Sequence, residues 1–195
     1  MTTEQQEQVS APSGPVAPEA VNHLVLNVKD MERSHEFWTR IIGFTQVGEI
    51  RRPDRPNFWM RFYQGAADNH HDLALAQVMD PAAVGEADRW SMAARRTGLN
   101  HVAIKWPDRE SWLKQVAWMQ SQGVPFHSRI DHGMSHSVYV SDPDGHGIEV
   151  LYELPREIWE DDINAALNYA KPLPTEGPEA LRDDTEYKVF GKAEG

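Results

Sequence analysis

A chain of 195 residues, 40% hydrophobic and 25% charged, has the length for one domain with a real core, or for two small modules that share one. No apolar run approaches the roughly 18 residues that span a bilayer, and the N-terminus lacks a basic start followed by an apolar stretch, so neither a membrane segment nor a signal peptide is expected. A net charge of -11 argues against nucleic acid or an anionic membrane as partner, and the absence of cysteine excludes disulfides and thiolate metal sites and fits a reducing, cytoplasmic setting.

Residues 1–19 hold four prolines or glycines, three acids and no basic residue, the composition of a disordered leader. Order is expected from Val21 to Val28, a strand by composition, followed by a helix that Asp30 starts and Gly43 ends, with Phe37, Trp38, Ile41 and Ile42 on its apolar face. Strands are predicted over 44–50, 58–63 and 72–78. The intervening stretch 51–57 is too rich in proline to pair as a central strand. A connector over 80–97, with room for a short helix, leads to a second unit. Its strand runs over 99–106, its helix from Asp108 to Gly123, and its third element is a strand over 124–129.

The strongest local signal follows. Ser137 to Val140 and Ile148 to Tyr152 are β-branched and aromatic runs on either side of Asp142-Pro143-Asp144-Gly145, a turn in which proline presets φ and glycine takes a positive φ. The βαβββ pattern therefore occurs twice, over 20–79 and 98–153, and its two Asn-His strand starts lie 78 residues apart. Pro155 opens a last predicted helix with Trp159, Ile163, Ala166 and Ala170 at helical spacing. The Pro-, Glu- and Asp-rich residues 171–195 are expected to wrap this chain, to wrap a neighbouring subunit, or to be disordered.

His23 shares its strand face with Val25 and Asn27, and His101 shares its face with Ala103 and Lys105. The opposite faces (Leu24, Leu26, Val28; Val102, Ile104, Trp106) are uniformly apolar and suit packing under a helix. Glu149 is the odd residue in an otherwise apolar strand, where an unpaired carboxylate facing the core costs several kcal/mol. If the two sheets close face to face, His23, His101 and Glu149 line one cleft as a His-His-carboxylate triad with open positions, the arrangement expected for non-haem iron(II). The fold class expected is α+β: two βαβββ modules forming one open-barrel metal cleft over 20–153, plus a C-terminal helix and tail over 154–195.

These modules, the Asn-His strand starts and the Asp142–Val150 hairpin resemble the vicinal oxygen chelate superfamily, over about residues 20–153, and within it the type I extradiol ring-cleaving dioxygenases. The resemblance implies that His71, the second of two adjacent histidines before a strand, is the acid/base residue. It implies that Tyr139 hydrogen-bonds a catechol. It also gives His132 or His136 to the site as a secondary proton donor, of which His132, on a loop, is the choice. Glyoxalase-like members usually carry a fourth ligand, a glutamate, on the strand that here reads Leu73 to Val78 and has no acid. The implied reaction is attack by O2 beside the diol of a small aromatic substrate, ring expansion to a lactone and hydrolysis. Iron(II) is the expected cofactor, with manganese(II) as the other candidate. His35 and His127 are read as structural and His146 as surface. Trp59, Phe58 and Trp90 suit an apolar pocket or the core equally. Longer relatives have four modules and this chain has two. A homo-oligomer is expected, from exposed sheet edges and the Trp159 stripe. Two other classes compete: a glyoxalase-, epimerase- or lyase-type metalloenzyme, and a metal-free module that sequesters a small molecule.

Overall fold

The computed structural model describes residues 20–52, 54–66, 69–80, 98–183 and 186–191. The expected leader, most of the connector and Trp90 lie outside the described residues. Two mixed sheets make up the architecture. The first contains β1 (Leu24–Val28), β2 (Thr45–Arg52), β3 (Arg55–Gln64) and β4 (Leu73–Gln77) in the order β1-β4-β3-β2. The second contains β5 (His101–Lys105), β6 (Ser128–Asp131), β7 (Ser135–Ser141), β8 (Gly147–Glu153) and β9 (Lys171–Pro172) in the order β5-β8-β7-β6-β9. The α+β fold of two βαβββ modules is thus present, and the sheets do not close into a barrel but leave an open cleft.

Each module's helix starts where a short acid can cap it. Asp30 accepts the Arg33 N–H ahead of α1 (Met31–Glu36), and Asp108 accepts the Ser111 N–H ahead of α2 (Arg109–Ser121). Gly43 and Gly123, at φ of 97° and 72°, end the helical stretches as expected. The first helix continues over Phe37–Ile41 as a π-turn, with Ile42 N–H bonded to Phe37 O. The Thr39 hydroxyl donates to His35 O 2.7 Å away, competing for the carbonyl of the regular ladder.

The two helices meet between the modules. Gln115 Nε2 donates to Ile41 O at 2.8 Å and Trp118 Nε1 to Arg40 O at 3.0 Å. Trp38 and Trp112, both fully buried, anchor one continuous core beneath the sheets. The Asp142–Gly145 turn joins the halves as well, because Asp144 accepts Lys29 N–H and the Ser34 hydroxyl.

Several elements depart from expectation. Residues 124–127 are not a strand; β6 begins at Ser128, since Pro125 lacks an N–H and only His127 N–H reaches the neighbouring strand, at Tyr139 O. The proline-rich 51–57 stretch extends the β2–β3 hairpin, yet residues 55–59 pair only with edge strand β2, in keeping with the limit set on them. The helix expected from Pro155 breaks into two single 3-10 turns, Arg156–Ile158 and Glu160–Asp162, and a short α3 (Ile163–Leu167). Trp159 and Asp162 leave helical φ at -131° and -145°, and Asp162 becomes the N-cap of α3. Trp159 donates to Leu154 O and packs on its own chain's core.

The tail wraps this chain. β9 pairs with β6, and Asp183 enters the second module with its side chain fully buried. Its carboxylate accepts from Arg129 Nη2 at 2.9 Å, His136 Nδ1 at 2.7 Å and the Tyr152 hydroxyl at 2.6 Å. Burial disfavours the His136 charge, but bonds to Asp131 and Asp183 outweigh it and raise its pKa from 6.5 to about 9. Burial likewise opposes the Asp183 charge, and the bonds from His136 and Tyr152 still hold its pKa below the usual value.

Two consequences can be measured. Asp183→Ala leaves buried cations uncompensated and lowers unfolding stability by about 3–5 kcal/mol in urea titrations. Because the folded pKa of His136 is raised, its contribution is complete below pH 6.5 and is lost as pH climbs through about 9. The thermal midpoint therefore falls across that window, and Asp183→Asn flattens the fall.

Candidate metal centre

The cleft faces of β1 and β5 are exposed at His23, Val25, Asn27, Ala103 and Lys105, while Leu26, Val28 and Val102 on the opposite faces are buried. In the second module, parallel pairing of β5 with β8 sets Ala103 beside Glu149, and antiparallel pairing of β7 with β8 sets Tyr139 opposite it. Glu149 is 7% exposed, yet it faces the cleft because Ile148 and Val150 take the core side. Its carboxylate is held from two directions: His101 Nε2 lies 3.0 Å from Oε2, and the Tyr139 hydroxyl donates to Oε1 at 2.8 Å.

Since the Tyr139 proton is given to Glu149, the His132 Nε2 found 2.9 Å from the same hydroxyl must carry a hydrogen and donate it. His132 N–H, Tyr139 O–H and Glu149 thus form a relay into the cleft. Burial pushes the His132 pKa down, keeping its ring neutral, and pushes the Tyr139 phenol far up.

Both cleft histidines are oriented by the residue before them. Asn22 Oδ1 lies 2.8 Å from His23 Nδ1, and Asn100 Oδ1 lies 2.7 Å from His101 Nδ1. An amide oxygen at that distance takes a hydrogen from Nδ1 and turns the Nε2 lone pair outward, the tautomer that ligates a metal. At His101 that lone pair points at a carboxylate oxygen 3.0 Å away, and two lone pairs face each other at that distance only across a cation, whether a proton or a divalent metal. Two imidazole nitrogens and a carboxylate suit a first-row divalent ion.

His23 stands in a different cluster. Its ring centroid is 4.4 Å from that of His71 and 6.2 Å from that of His70. Asn69 ties the loop that carries them to the start of β1, its two Nδ2 hydrogens shared among Asn22 O, His71 O and Asp72 Oδ1. His71 also meets Phe62, with centroids 5.0 Å apart. Burial, then the neighbouring His23 and His70, lowers the His71 pKa. The structure brings His101, Glu149, Tyr139 and His132 together and His23 with His71. Among the described residues no three His, Asp or Glu side chains converge to hold a metal unaided. Between β1 and β5 lies a cavity of about 590 Å³ whose wall includes His23, Leu24, Trp38, Phe44, Val102 and Ile104.

The remaining histidines have other tasks. His136 faces Asp183 in β7, His35 bonds Tyr63, His127 bonds Ser141, and His146 bonds Asp142 within the turn. Trp59 bonds Glu49 beneath Arg51 and Arg61. Asn22, Asn69 and Asn100 are site residues that sequence reasoning passed over as ligand supports; the repeated Asn-His pair was their visible signal.

The two modules repeat in structure as they do in sequence. Val25 pairs with Ala74 as Ala103 pairs with Glu149, and Phe62 opposes Ala74 as Tyr139 opposes Glu149. The first module therefore presents Phe62 and Ala74 where the second presents Tyr139 and Glu149.

A family model described as the Glyoxalase/Bleomycin resistance protein/Dioxygenase superfamily matches residues 20–150. A catechol-2,3-dioxygenase of Bacillus subtilis (strain 168) is 32% identical over 142 residues, covering 73% of this chain and 44% of that protein, so the chain spans less than half the length of that relative. A lactoylglutathione lyase of Pseudomonas putida is 28% identical over 171 residues, covering 75% of this chain and 93% of that protein. Among solved structures, a glyoxylase/bleomycin resistance protein/dioxygenase domain from Frankia sp. EAN1pec is similar with a TM-score of 0.56 at 15% identity, covering 71% of this chain and 94% of that one. That last likeness is one of fold.

The relay predicts a silent tyrosine. In an ultraviolet phenolate titration taken about one unit above the ordinary tyrosine pKa of about 10, wild type and Tyr139→Phe release the same absorbance. A smaller signal in the variant would show that Tyr139 ionises normally and is not donating to Glu149.

Proposed function

This chain belongs to the glyoxalase/bleomycin resistance protein/dioxygenase superfamily, and within it we propose that it is an extradiol dioxygenase, cleaving a catechol-type ring beside the diol with iron(II) and O2. The observation that carries the reading is Ala74 at the first-module counterpart of Glu149. A metal drawn in between the two clusters would then have three protein donors, His23, His101 and Glu149, rather than four. A two-point substrate and O2 together need the positions so left open. The 32% identity to a catechol-2,3-dioxygenase supports the same choice.

His23, His101 and Glu149 would hold the metal, iron(II) in the first instance and manganese(II) as the other candidate. When bound, the metal supplies Lewis acidity toward the diol oxygens and a redox partner for O2. The chain's own groups do the rest. Tyr139, fixed between His132 and Glu149, orients a substrate oxygen at the rim of the relay. His132 donates its Nε2–H to the Tyr139 oxygen and would pass that proton on, as a secondary donor, only while Nδ1 takes one up from solvent, so that the ring stays neutral. His71, beside His23 and against Phe62, would take a proton from the diol hydroxyl and later return it to an oxygen of the product. Phe62 gives the first-module wall an apolar surface that excludes water, and the fully buried Ala74 adds no polar group there.

A second reading, a lyase-type metalloenzyme, is favoured by one finding: the chain spans 93% of a lactoylglutathione lyase and only 44% of the dioxygenase relative. It requires no O2. A homo-oligomer is part of the proposal, since β1 and β5 are edge strands and Ile163 and Leu167 stand exposed on α3. Light scattering at micromolar protein checks this, and a monomeric mass counts against it.

The chemistry is tested with an oxygen electrode, a panel of vicinal aromatic diols and protein reconstituted anaerobically with iron(II). Glu149→Ala loses iron, and Asn100→Ala weakens iron binding by about 10–100-fold through the freed imidazole. His71→Ala keeps iron and binds catechol, while turnover drops by roughly 10²–10⁴-fold. Oxygen uptake as fast as wild type would remove His71 from the mechanism. No uptake with any diol would remove the dioxygenase reading in favour of the lyase.

A further inference from the structure

The turn over 131–134, which carries His132, is gripped by the C-terminal segment at three places. Before the turn, β9 pairs with the end of β6, Lys171 beside Asp131, and Leu173 N–H donates to Arg129 O at 2.8 Å. After the turn, the buried Asp183 carboxylate takes the Nδ1 hydrogen of His136 in β7. At the turn itself, the Phe190 ring lies directly on Gly133. A Cβ at 133 would stand 2.6 Å from Phe190 Cε2 and Cζ, and Gly133 also has a φ of 74°. Glycine is thus required there twice, for its backbone conformation and for the ring above it.

Phe190 is 3% exposed and is itself fixed. Its N–H donates to Ile158 O at 2.8 Å, its ring meets Tyr169 at 5.5 Å, and the following Gly191 is pressed against Asp161. The turn has bonds of its own: Asp131 Oδ1 accepts Gly133 N–H, His132 N–H reaches Ser135 O, and Leu154 N–H reaches Met134 O. These close the turn, but none is made by the His132 ring. The Phe190 ring fills the space over Gly133, the residue next to His132, and so blocks movement of the turn into that space.

We propose that the C-terminal segment is a positioning element of the candidate site, in which Phe190, pressed on Gly133 and anchored through Asp183, holds the 131–134 turn so that His132 Nε2 meets the Tyr139 hydroxyl. The proposal rests on His132 belonging to the functional cleft. It assigns the residues beyond the two modules a part in the chemistry, through His132 and without touching substrate.

The test needs no metal and no turnover. Full-length protein labelled with 15N-histidine reports by NMR which ring nitrogen of each histidine carries hydrogen and whether it is hydrogen-bonded. In wild type, His132 gives the signature of a neutral Nε2–H ring bonded to oxygen. In Phe190→Ala that signature shifts toward that of a free, tautomerically averaged imidazole, while His35, bonded to Tyr63 in the first module, keeps its own. Phe190→Leu, which retains apolar bulk on Gly133, shifts His132 partway and supplies the measurement should alanine fail to fold. An unshifted His132 signal in a folded Phe190 variant overturns the proposal. Where wild type consumes oxygen, Phe190→Ala loses turnover by up to about a hundredfold at unchanged iron content, with the loss graded as the His132 shift is graded. Absence of wild-type oxygen uptake would sink the dioxygenase reading alone, since the NMR arm decides the role of the segment by itself.

Discussion

Glu149 has only 7% of its surface exposed, and a carboxylate so placed must find partners or forfeit several kcal/mol of stability. Much of the second module follows from that demand. Tyr139 stands directly across the β7–β8 ladder and gives its hydroxyl hydrogen to one oxygen; His101 comes from the neighbouring β5 and faces the other. Tyr139 in turn leaves an acceptor that His132 fills. Each partner is delivered by strand register, so a slip of one residue in either ladder would turn the whole set toward the core. The Asp142–Gly145 turn sets the β7–β8 register, with Asp142 accepting the N–H groups of Asp144 and His146.

The two modules use one backbone for opposite ends. Where the second module sets a carboxylate and a phenol, the first sets Ala74 and Phe62, and the polar groups of the first are displaced onto the 69–72 loop as His70 and His71. The loop has to be clamped, and Asn69 does so with its two Nδ2 hydrogens, shared among residues of the strand start and the loop itself. Two like modules, only one of which carries the acid, give a cleft with unlike walls: one polar and wired to a buried relay, the other apolar with a histidine at its edge. Unlike walls are what a planar molecule with polar atoms on one side can read.

Local chemistry made much of this legible. Asp30 and Asp108 as caps, Gly43 and Gly123 as helix ends, the Asp-Pro-Asp-Gly turn and the period-2 faces of β1 and β5 each depend on neighbours in sequence, and each formed as expected. Placement of His101, Glu149 and Tyr139 in one cluster followed from register, and His132 joins them from the turn over 131–134. What escaped the sequence depends on distant partners. Nothing around Asp183 announces that it will be buried against Arg129, His136 and Tyr152, and a Pro- and Glu-rich tail reads as solvated until those partners are known. The 155–170 stretch has helical apolar spacing, but Asp162 takes the Ala165 N–H and caps a new helix there, which breaks the run. The β6 start was misplaced because Val124 and Phe126 look strand-like, whereas Pro125 between them cannot donate.

Glu149 and Asp183, two of the buried acids of the second module, sit on opposite faces of the β7–β8 pair, and they are satisfied differently. Asp183 is surrounded by permanent or readily held cations, Arg129 and a His136 whose charge persists to about pH 9, and by the Tyr152 hydroxyl. Its charge is matched by the protein itself, which is the condition for a structural anchor. Glu149 has a phenol and a single imidazole whose other nitrogen is already committed to Asn100. Among the described residues no Arg or Lys pairs with it, and a proton or a metal shared with His101 would balance it. The acid completed by the protein belongs to the tail; the acid that an outside cation would complete, on the proposed function, faces the cleft. That difference in compensation, more than the identity of any one side chain, separates scaffold from site in this module.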